Sequence, residues 1–294
     1  MRILIVGTMA WDRPVFLKGP LVAGTRVRGT TLGERFDGRL GGGGANAACA
    51  LLGAGHEVRL VSLVSTDEQR RRVMSTAKHY GISMEFVTAH DFPSATTLVF
   101  IDKHGERTIV GLDAADWKSR QDVLQRAVPG QGRIDAFAPQ GVYLRQLYPG
   151  VERLDFRDAV VVAHWPTLID RCASIDVLVA SADDVGETSV EALHREAVTQ
   201  FGSRLKWVVL TQGGGRVVAF DGEHGIEHEV TRVRQLDTTG AGDIFAAGLT
   251  EALAHGADMR SAIVHAAHWG ATAVSMPGSA ANPEQQQEYR SFAG

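Results

Sequence analysis

Cysteine is nearly absent from this chain of 294 residues: Cys49 and Cys172 are the only two, far apart and in no Cys-x-x-Cys pair. That argues against a disulfide scaffold and against zinc fingers, and makes a reducing cytoplasm the expected compartment. An excess of basic charge is missing too, with a formal net charge of −4 and no dense Lys/Arg block. Nucleic acid is therefore not an expected partner, and Arg70-Arg71-Arg72 reads as the solvated face of a helical run. No apolar run is long enough to span a bilayer, and Met1 to Gly7 is too short for a signal segment, so no membrane partner is expected. Two glycine fingerprints are missing as well. The first apolar run, Ile3 to Val6, leads into Gly7-Thr8-Met9-Ala10-Trp11-Asp12 rather than Gly-x-Gly-x-x-Gly, and no Gly-x-x-x-x-Gly-Lys-Ser/Thr occurs anywhere. The first absence disfavours an NAD enzyme; the second removes a Walker-type phosphate loop.

What is present is a composition, 44% hydrophobic and 22% charged, that can bury the core of one large α/β domain spanning residues 1–294. Short apolar runs predict strands at Ile3 to Val6, His56 to Val64, Ile82 to Val87, Gly141 to Leu144, Ala159 to Ala163, Ile175 to Ala180 and Trp207 to Thr211. Helical patterns fall at Glu68 to Tyr80, Trp117 to Arg126, Asp243 to Ala254, Met259 to Ser275 and Pro283 to Ser291. Two turn-rich β excursions, near 13–40 and 95–112, predict a small sheet covering a cleft. The link from Leu144 to Ala159 is near the minimum for joining parallel strands.

The chemistry concentrates in Asp237-Thr238-Thr239-Gly240-Ala241-Gly242-Asp243, which follows a strand-like run, Ile226 to Leu236, and opens a buried helix. At a helix N-terminus the first amides lack partners and the macrodipole favours an anion, while glycine lets the backbone come close. Asp243 stands on the first turn, where a carboxylate can take the proton of a hydroxyl attacking phosphorus. The same string is also an ordinary N-cap, so the motif alone leaves both readings open. A second glycine-rich helix entry, Gly41-Gly42-Gly43-Gly44-Ala45-Asn46, places an amide side chain suited to a polyol beside bare backbone. Asp12 lies just past the first strand, at the sheet edge where open α/β folds bind ligands, or is a turn-capping carboxylate.

The two glycine strings together resemble the paired signatures of the ribokinase-like, PfkB-type small-molecule kinases, and the resemblance runs from the Gly7-to-Asp12 turn to Gly278. It implies a three-layer α/β/α sandwich with a mostly parallel central sheet and a small β lid, also used as a homodimer surface. It further implies ATP-dependent phosphorylation of a small sugar or related polyol, with Mg²⁺ accompanying the ATP. By resemblance Asp243 is the catalytic base, Gly240, Ala241 and Gly242 form the anion hole, and Asp12, Gly42, Gly43 and Asn46 hold the acceptor. Ser181, Thr211, Gly213, Gly215 and Gly278 take the nucleotide side. Asp184 is tied to magnesium, and Asp237 and Thr239, with Gly278, to a monovalent cation such as K⁺.

The chain also departs from the family pattern, with Ser65 for a glycine, Ser181 and Asp184 where Asn-x-x-Glu is common, and Arg216 for a glycine. Ser65 reads as a tolerated loop change, while Ser181, Asp184 and Arg216, with Ala10 where several ribose kinases have asparagine, leave room for a nucleoside or sugar-acid kinase, or for a catalytically idle binder of sugar or nucleotide, although a binder has no use for Asp243. Arg145 reads as a surface residue, with a place in the cleft as the alternative. His224 and His228 read as solvated turn residues, and His265 and His268 as packed helical residues.

Overall fold

The structure is a computed structural model, and it describes residues 1–31, 37–90, 96–112, 128–146, 148, 150–165 and 174–293. In chain order the strands are β1 (Arg2–Val6), β2 (Ala10–Leu17), β3 (Gly29–Thr31), β4 (Arg39–Gly41), β5 (Glu57–Ser65), β6 (Val87–His90), β7 (Thr96–Ile101), β8 (Arg107–Leu112), β9 (Gly141–Leu144), β10 (Val160–His164), β11 (Val177–Ser181), β12 (Trp207–Thr211), β13 (Arg216–Phe220) and β14 (Gly225–Glu229). The helices are α1 (Gly43–Gly53), α2 (Glu68–His79), α3 (Gln131–Phe137), α4 (Ala182–Val185), α5 (Val190–Phe201), α6 (Ala241–Ala254) and α7 (Met259–Val274).

Nine strands form the main sheet in the order β14-β13-β12-β11-β10-β9-β1-β5-β6. The pairings from β12 to β6 are all parallel, and only the β12–β13–β14 edge is antiparallel. Alternation along the strands sends side chains to two cores. Ile3, Ile5, Tyr143, Val162 and Val179 pack with α1, α6 and α7. Leu4, Val6, Val142, Val161 and Leu178 pack on the other face with α3 and α5. The result is helix, sheet and helix in three layers, as the resemblance implied. Cys49 is buried in the α1 side of this core, which pushes its thiol up to about 12.

A second sheet runs β3-β2-β7-β8, with β4 also paired to β2. It supplies the expected lid, but it begins earlier than the expected excursion. Asp12 is not on a loop: it is a strand residue of β2, facing Arg39 of β4 in register. Three further boundaries also move. The run 82–87 contributes only Val87 to a strand: Ser83 touches β5 by a single bridge to Arg59, and the ladder starts at Ser62 opposite Val87. The run 226–236 leaves the sheet after Glu229, and its last residues reach across to the end of α7, where Leu236 N donates to Val274 O at 2.8 Å. The C-terminal helix shrinks to one 3-10 turn, Gln285–Glu288. There the Asn282 side chain accepts from Glu284 N and Gln285 N, after which Tyr289 tucks against Trp269. The helix expected at 117–126 lies outside the described residues.

Candidate active site

The main sheet ends at one edge in Val6, Leu144, His164, Ser181 and Thr211, the C-terminal residues of five adjacent parallel strands. Side chains at and just beyond such an edge face a crevice. Against it the N-termini of α1 and α6 come together, because glycine replaces the side chains that would keep them apart. A Cβ on Gly240, itself at φ 81°, would stand 2.5 Å from Asn46 Nδ2. One on Gly43 would stand 2.7 Å from an Asp243 oxygen.

This closeness joins the two signatures. Asn46 Nδ2 donates to Asp243 Oδ2 at 3.0 Å, and Arg145 Nε donates to Asp243 Oδ1 at 2.6 Å. Tyr143 OH stands 3.4 Å from the same Oδ1 and 3.1 Å from His164 Nδ1. Asp243 is thus buried, yet its charge is supported. Burial works to raise its pKa, but the Arg145 guanidinium and the hydrogen bonds from Asn46 and Arg145 hold it below the ordinary carboxylate value. Burial, and then Arg145, push His164 down to about 4, so near neutral pH it is an uncharged imidazole and Arg145 is the cation that matters to Asp243. Burial and the Asp243 charge keep Tyr143 a phenol, well above its ordinary value.

The start of α6 is open to an anion. Its N-cap, Gly240, offers no side-chain bond, and the first bond of the helix is Ile244 N to Gly240 O at 3.0 Å. Ala241 N makes only a long 3.4 Å bond to Thr238 O, so the Gly242 and Asp243 amides precede the helical ladder. The lid reaches this loop. Thr238 N donates to Gly105 O at 3.0 Å, and Arg107 Nη1 donates to Thr238 Oγ1 at 3.2 Å. Asp184, exposed on α4, lies in the field of both Arg145 and Arg107, and its pKa is raised by partial burial against their opposing charge.

Next to Asp237 and Asp243, Asp12 is 5% exposed and its pKa is raised to about 6. Burial is the main cause, opposed by Arg39 and reinforced by Asp237 and Asp243, and this places all three charges near it. Gly42 and Gly43 run beneath Asn46, with Gly42 at φ 88° against the Thr8 carbonyl. Asp237 is 2.6 Å from Arg39 Nη2, its other oxygen accepts from Thr239 N at 2.9 Å, and a Cβ on Gly278 would lie 3.9 Å from Arg39 Nη1. Arg39 therefore already supplies a positive charge among Asp237, Thr239 and Gly278. Ser181 caps α4 through Asp183 N, and Thr211 Oγ1 donates to Ala180 O. Gly213 and Gly215 form the turn into β13, while Arg216 pairs with Gln212 and Glu227 on the surface.

Arg145 is the departure that matters most: the expected surface residue is the ion-pair partner of Asp243. Arg39, Tyr143, His164 and Arg107 carried no motif. Two had a readable signal, since His164 ends an apolar strand with a polar side chain and Arg39 directly precedes the first signature. His224 is exposed and His265 packed, as expected, but His268, expected to be packed, faces outward from α7 and is exposed.

Comparison with known proteins gives a family match. The model of the pfkB family of carbohydrate kinases matches residues 20–132 and 156–286. Fructosamine kinase FrlD of Bacillus subtilis is 23% identical over 254 residues, covering 81% of this chain and 85% of its own. Among solved structures, ribokinase from Thermotoga maritima is similar with a TM-score of 0.68 at 17% identity, covering 98% of both chains. The nucleoside kinase of Burkholderia thailandensis, solved with inosine, is similar with a TM-score of 0.72 at 17% identity, covering 97% of this chain and 96% of its own. At such identities these structures establish the shared fold.

Proposed function

The chain belongs to the pfkB family of carbohydrate kinases, and from that membership and the geometry of the cleft we propose that it transfers a phosphoryl group from ATP to a hydroxyl of a small sugar or related polyol. The observation that carries this is the meeting of Asp243 with Asn46 and Arg145 beside the uncapped start of α6. A carboxylate held ionised and a patch of unpartnered amides are what proton removal and phosphoryl-charge stabilisation require.

In this reading Asp12 and Asn46 accept and donate to acceptor hydroxyls, and Gly42 and Gly43 let the ring approach. Asp243 takes the proton of the attacking hydroxyl, leaving the alkoxide electrons to bond to phosphorus. For that, Arg145 must release the oxygen it now covers. The natural destination of its guanidinium is the developing negative charge at the Gly240, Ala241 and Gly242 amides, where Arg107 also stands near. Tyr143, on the same oxygen as Arg145, and Asn46, on the other, keep the carboxylate oriented while His164 stays neutral behind it. The site suits a polyphosphate: the uncapped helix start and two arginines are its donors. ATP would lie toward Ser181, Thr211, Gly213, Gly215 and Gly278, and Asp184 would hold Mg²⁺ together with the nucleotide. Bound Mg²⁺-ATP supplies the phosphoryl group and neutralises its charge. A monovalent cation at Asp237 and Thr239 fits less well, because Arg39 is already the counter-charge there.

A sugar-acid acceptor is the second reading, favoured by the partly exposed guanidinium of Arg145 in the cleft. The exposed apolar side chains of the lid, Leu21, Val22, Ile109 and Leu112, suit a homodimer formed through it. ADP release measured across sugars, polyols, nucleosides and sugar acids tests the reading. Turnover with none of them would leave only a binder of these ligands.

A further inference from the structure

Glu251 lies eight residues beyond Asp243 on α6, about 12 Å along the helix from the proposed chemistry, and its side chain is fully buried. Three imidazoles from three parts of the chain close on it. His56, at the entry to β5, brings Nε2 to 3.1 Å from Oε1. His255, at the end of α6, brings Nε2 to 3.2 Å from the same oxygen. His265, on α7, brings Nε2 to 3.0 Å from Oε2. The C-terminal segment adds Ser291 Oγ at 2.6 Å and Phe292 N at 2.9 Å, both on Oε1.

Hydrogen bonding distributes poorly over this arrangement. Four groups address Oε1, which has two lone pairs, and Ser291 Oγ also stands 3.2 Å from His255 Nε2. Across the carboxylate, His265 Nε2 lies 3.0 Å from Glu251 Oε2, and neither atom has another hydrogen-bond partner among the described residues. His56 Nε2 points its bond at Oε1, but that oxygen has too few lone pairs to serve His255, Ser291 and Phe292 as well, and a cation shared by His56, His255 and Oε1 relieves the crowding. The ligating atoms of His56, Glu251 and His255 all lie within 4.8 Å of one another. Metal bonds of about 2.0–2.2 Å put tetrahedral ligand atoms about 3.4 Å apart, and the His56 and His255 nitrogens, at 3.1 and 3.2 Å from Oε1, already stand near that spacing from the carboxylate.

We propose that His56, Glu251 and His255, with a solvent molecule completing the shell and His265 holding the other carboxylate oxygen, form a zinc-type site that ties α6 to the lead into β5 and, through His265, to α7. Imidazole with one carboxylate is a donor set for Zn²⁺ rather than for Mg²⁺ or Ca²⁺, which prefer all-oxygen shells. His255 is one-third exposed and marks the side of entry. The site is distinct from the Mg²⁺-nucleotide region and takes no part in phosphoryl transfer.

The test uses the full chain made without a polyhistidine tag, stripped with chelator and titrated with Co²⁺ and with Zn²⁺. One Co²⁺ per chain with the intense visible bands of a four-coordinate nitrogen and oxygen site is expected, displaced by Zn²⁺, and Zn²⁺ should raise Tm by several degrees. His255→Ala should lose these bands or weaken the metal by at least about tenfold, whereas Asp184→Asn should keep them. Wild-type protein with no such bands and no Zn²⁺-dependent Tm shift overturns the proposal, leaving a metal-free histidine-carboxylate network. That measurement stands even if the His255 variant fails to fold. Bands that persist unchanged in a folded His255→Ala protein also overturn it.

Discussion

Replacing Asp243 by asparagine removes the proton acceptor while keeping nearly the same shape. Asp243 accepts from Asn46 Nδ2, Arg145 Nε and Tyr143 OH, and one oxygen of the new amide still accepts from Arg145. The other end becomes a donor facing the Asn46 donor. Asn46 has a buried Oδ1 with no hydrogen-bond partner, so a flip of its amide restores the bond. The structural cost is therefore mainly the lost charge beside Arg145. Removing one partner of a buried pair costs several kcal/mol, but the Arg145 side chain is 33% exposed and solvent screens part of this. A loss of about 1–3 kcal/mol follows, a Tm drop of a few degrees. The kinetic cost is of a different order: about 10²–10⁴ in kcat for losing a general base. The assay is steady-state ADP release on an acceptor found by the panel, with ATP affinity measured by calorimetry. Turnover should collapse while the ATP Kd stays within a few-fold. Full kcat in a folded Asp243→Asn protein would falsify the assignment of the base, whatever the stability change.

Other outcomes follow from the same geometry. Arg145→Ala uncovers Asp243 but removes a cation from the transferring charge, so kcat should fall about 10²-fold or more; without Arg145, burial raises the Asp243 pKa in the free enzyme, so the acid limb of the kcat/KM profile should move to higher pH. An unmoved limb means the ion pair does not set the ionisation of the base. Asp12 ionises near pH 6, so kcat/KM for the acceptor should fall about tenfold per unit below that pH, and Asp12→Asn should abolish this limb. The folded pKa of Asp12 exceeds its ordinary 3.8, so the fold binds its proton more tightly; stability from this group is full below 3.8 and is lost as pH rises through 6. At pH 8 that loss is about 3 kcal/mol, and Asp12→Asn should raise Tm at pH 8 more than at pH 4. The double substitution Ile109→Asp, Leu112→Asp should leave the monomer folded, because both side chains are about half exposed. If the lid is a dimer surface, light scattering will show half the wild-type mass; an unchanged dimer places the interface elsewhere.

The sequence by itself determined the sheet and the two helix entries. Buried parallel strands need apolar residues on both faces, as in Ile3 to Val6, and helices that begin against a ligand need glycine and a short polar side chain, as at Gly240 and Asn46. Both requirements are local, so they are written in contiguous residues. The charges that tune the site are not local. Arg145 reads as an ordinary arginine after a strand until β9 sets it beside Asp243, and Arg39 until β4 pairs with β2 and places it opposite Asp12. Around Glu251, His255 stands four residues on at the end of α6, but His56 and His265 come from separate elements and share no spacing with it. Only the tertiary structure could assemble them, because charge interactions depend on distance and burial, and chain order specifies neither.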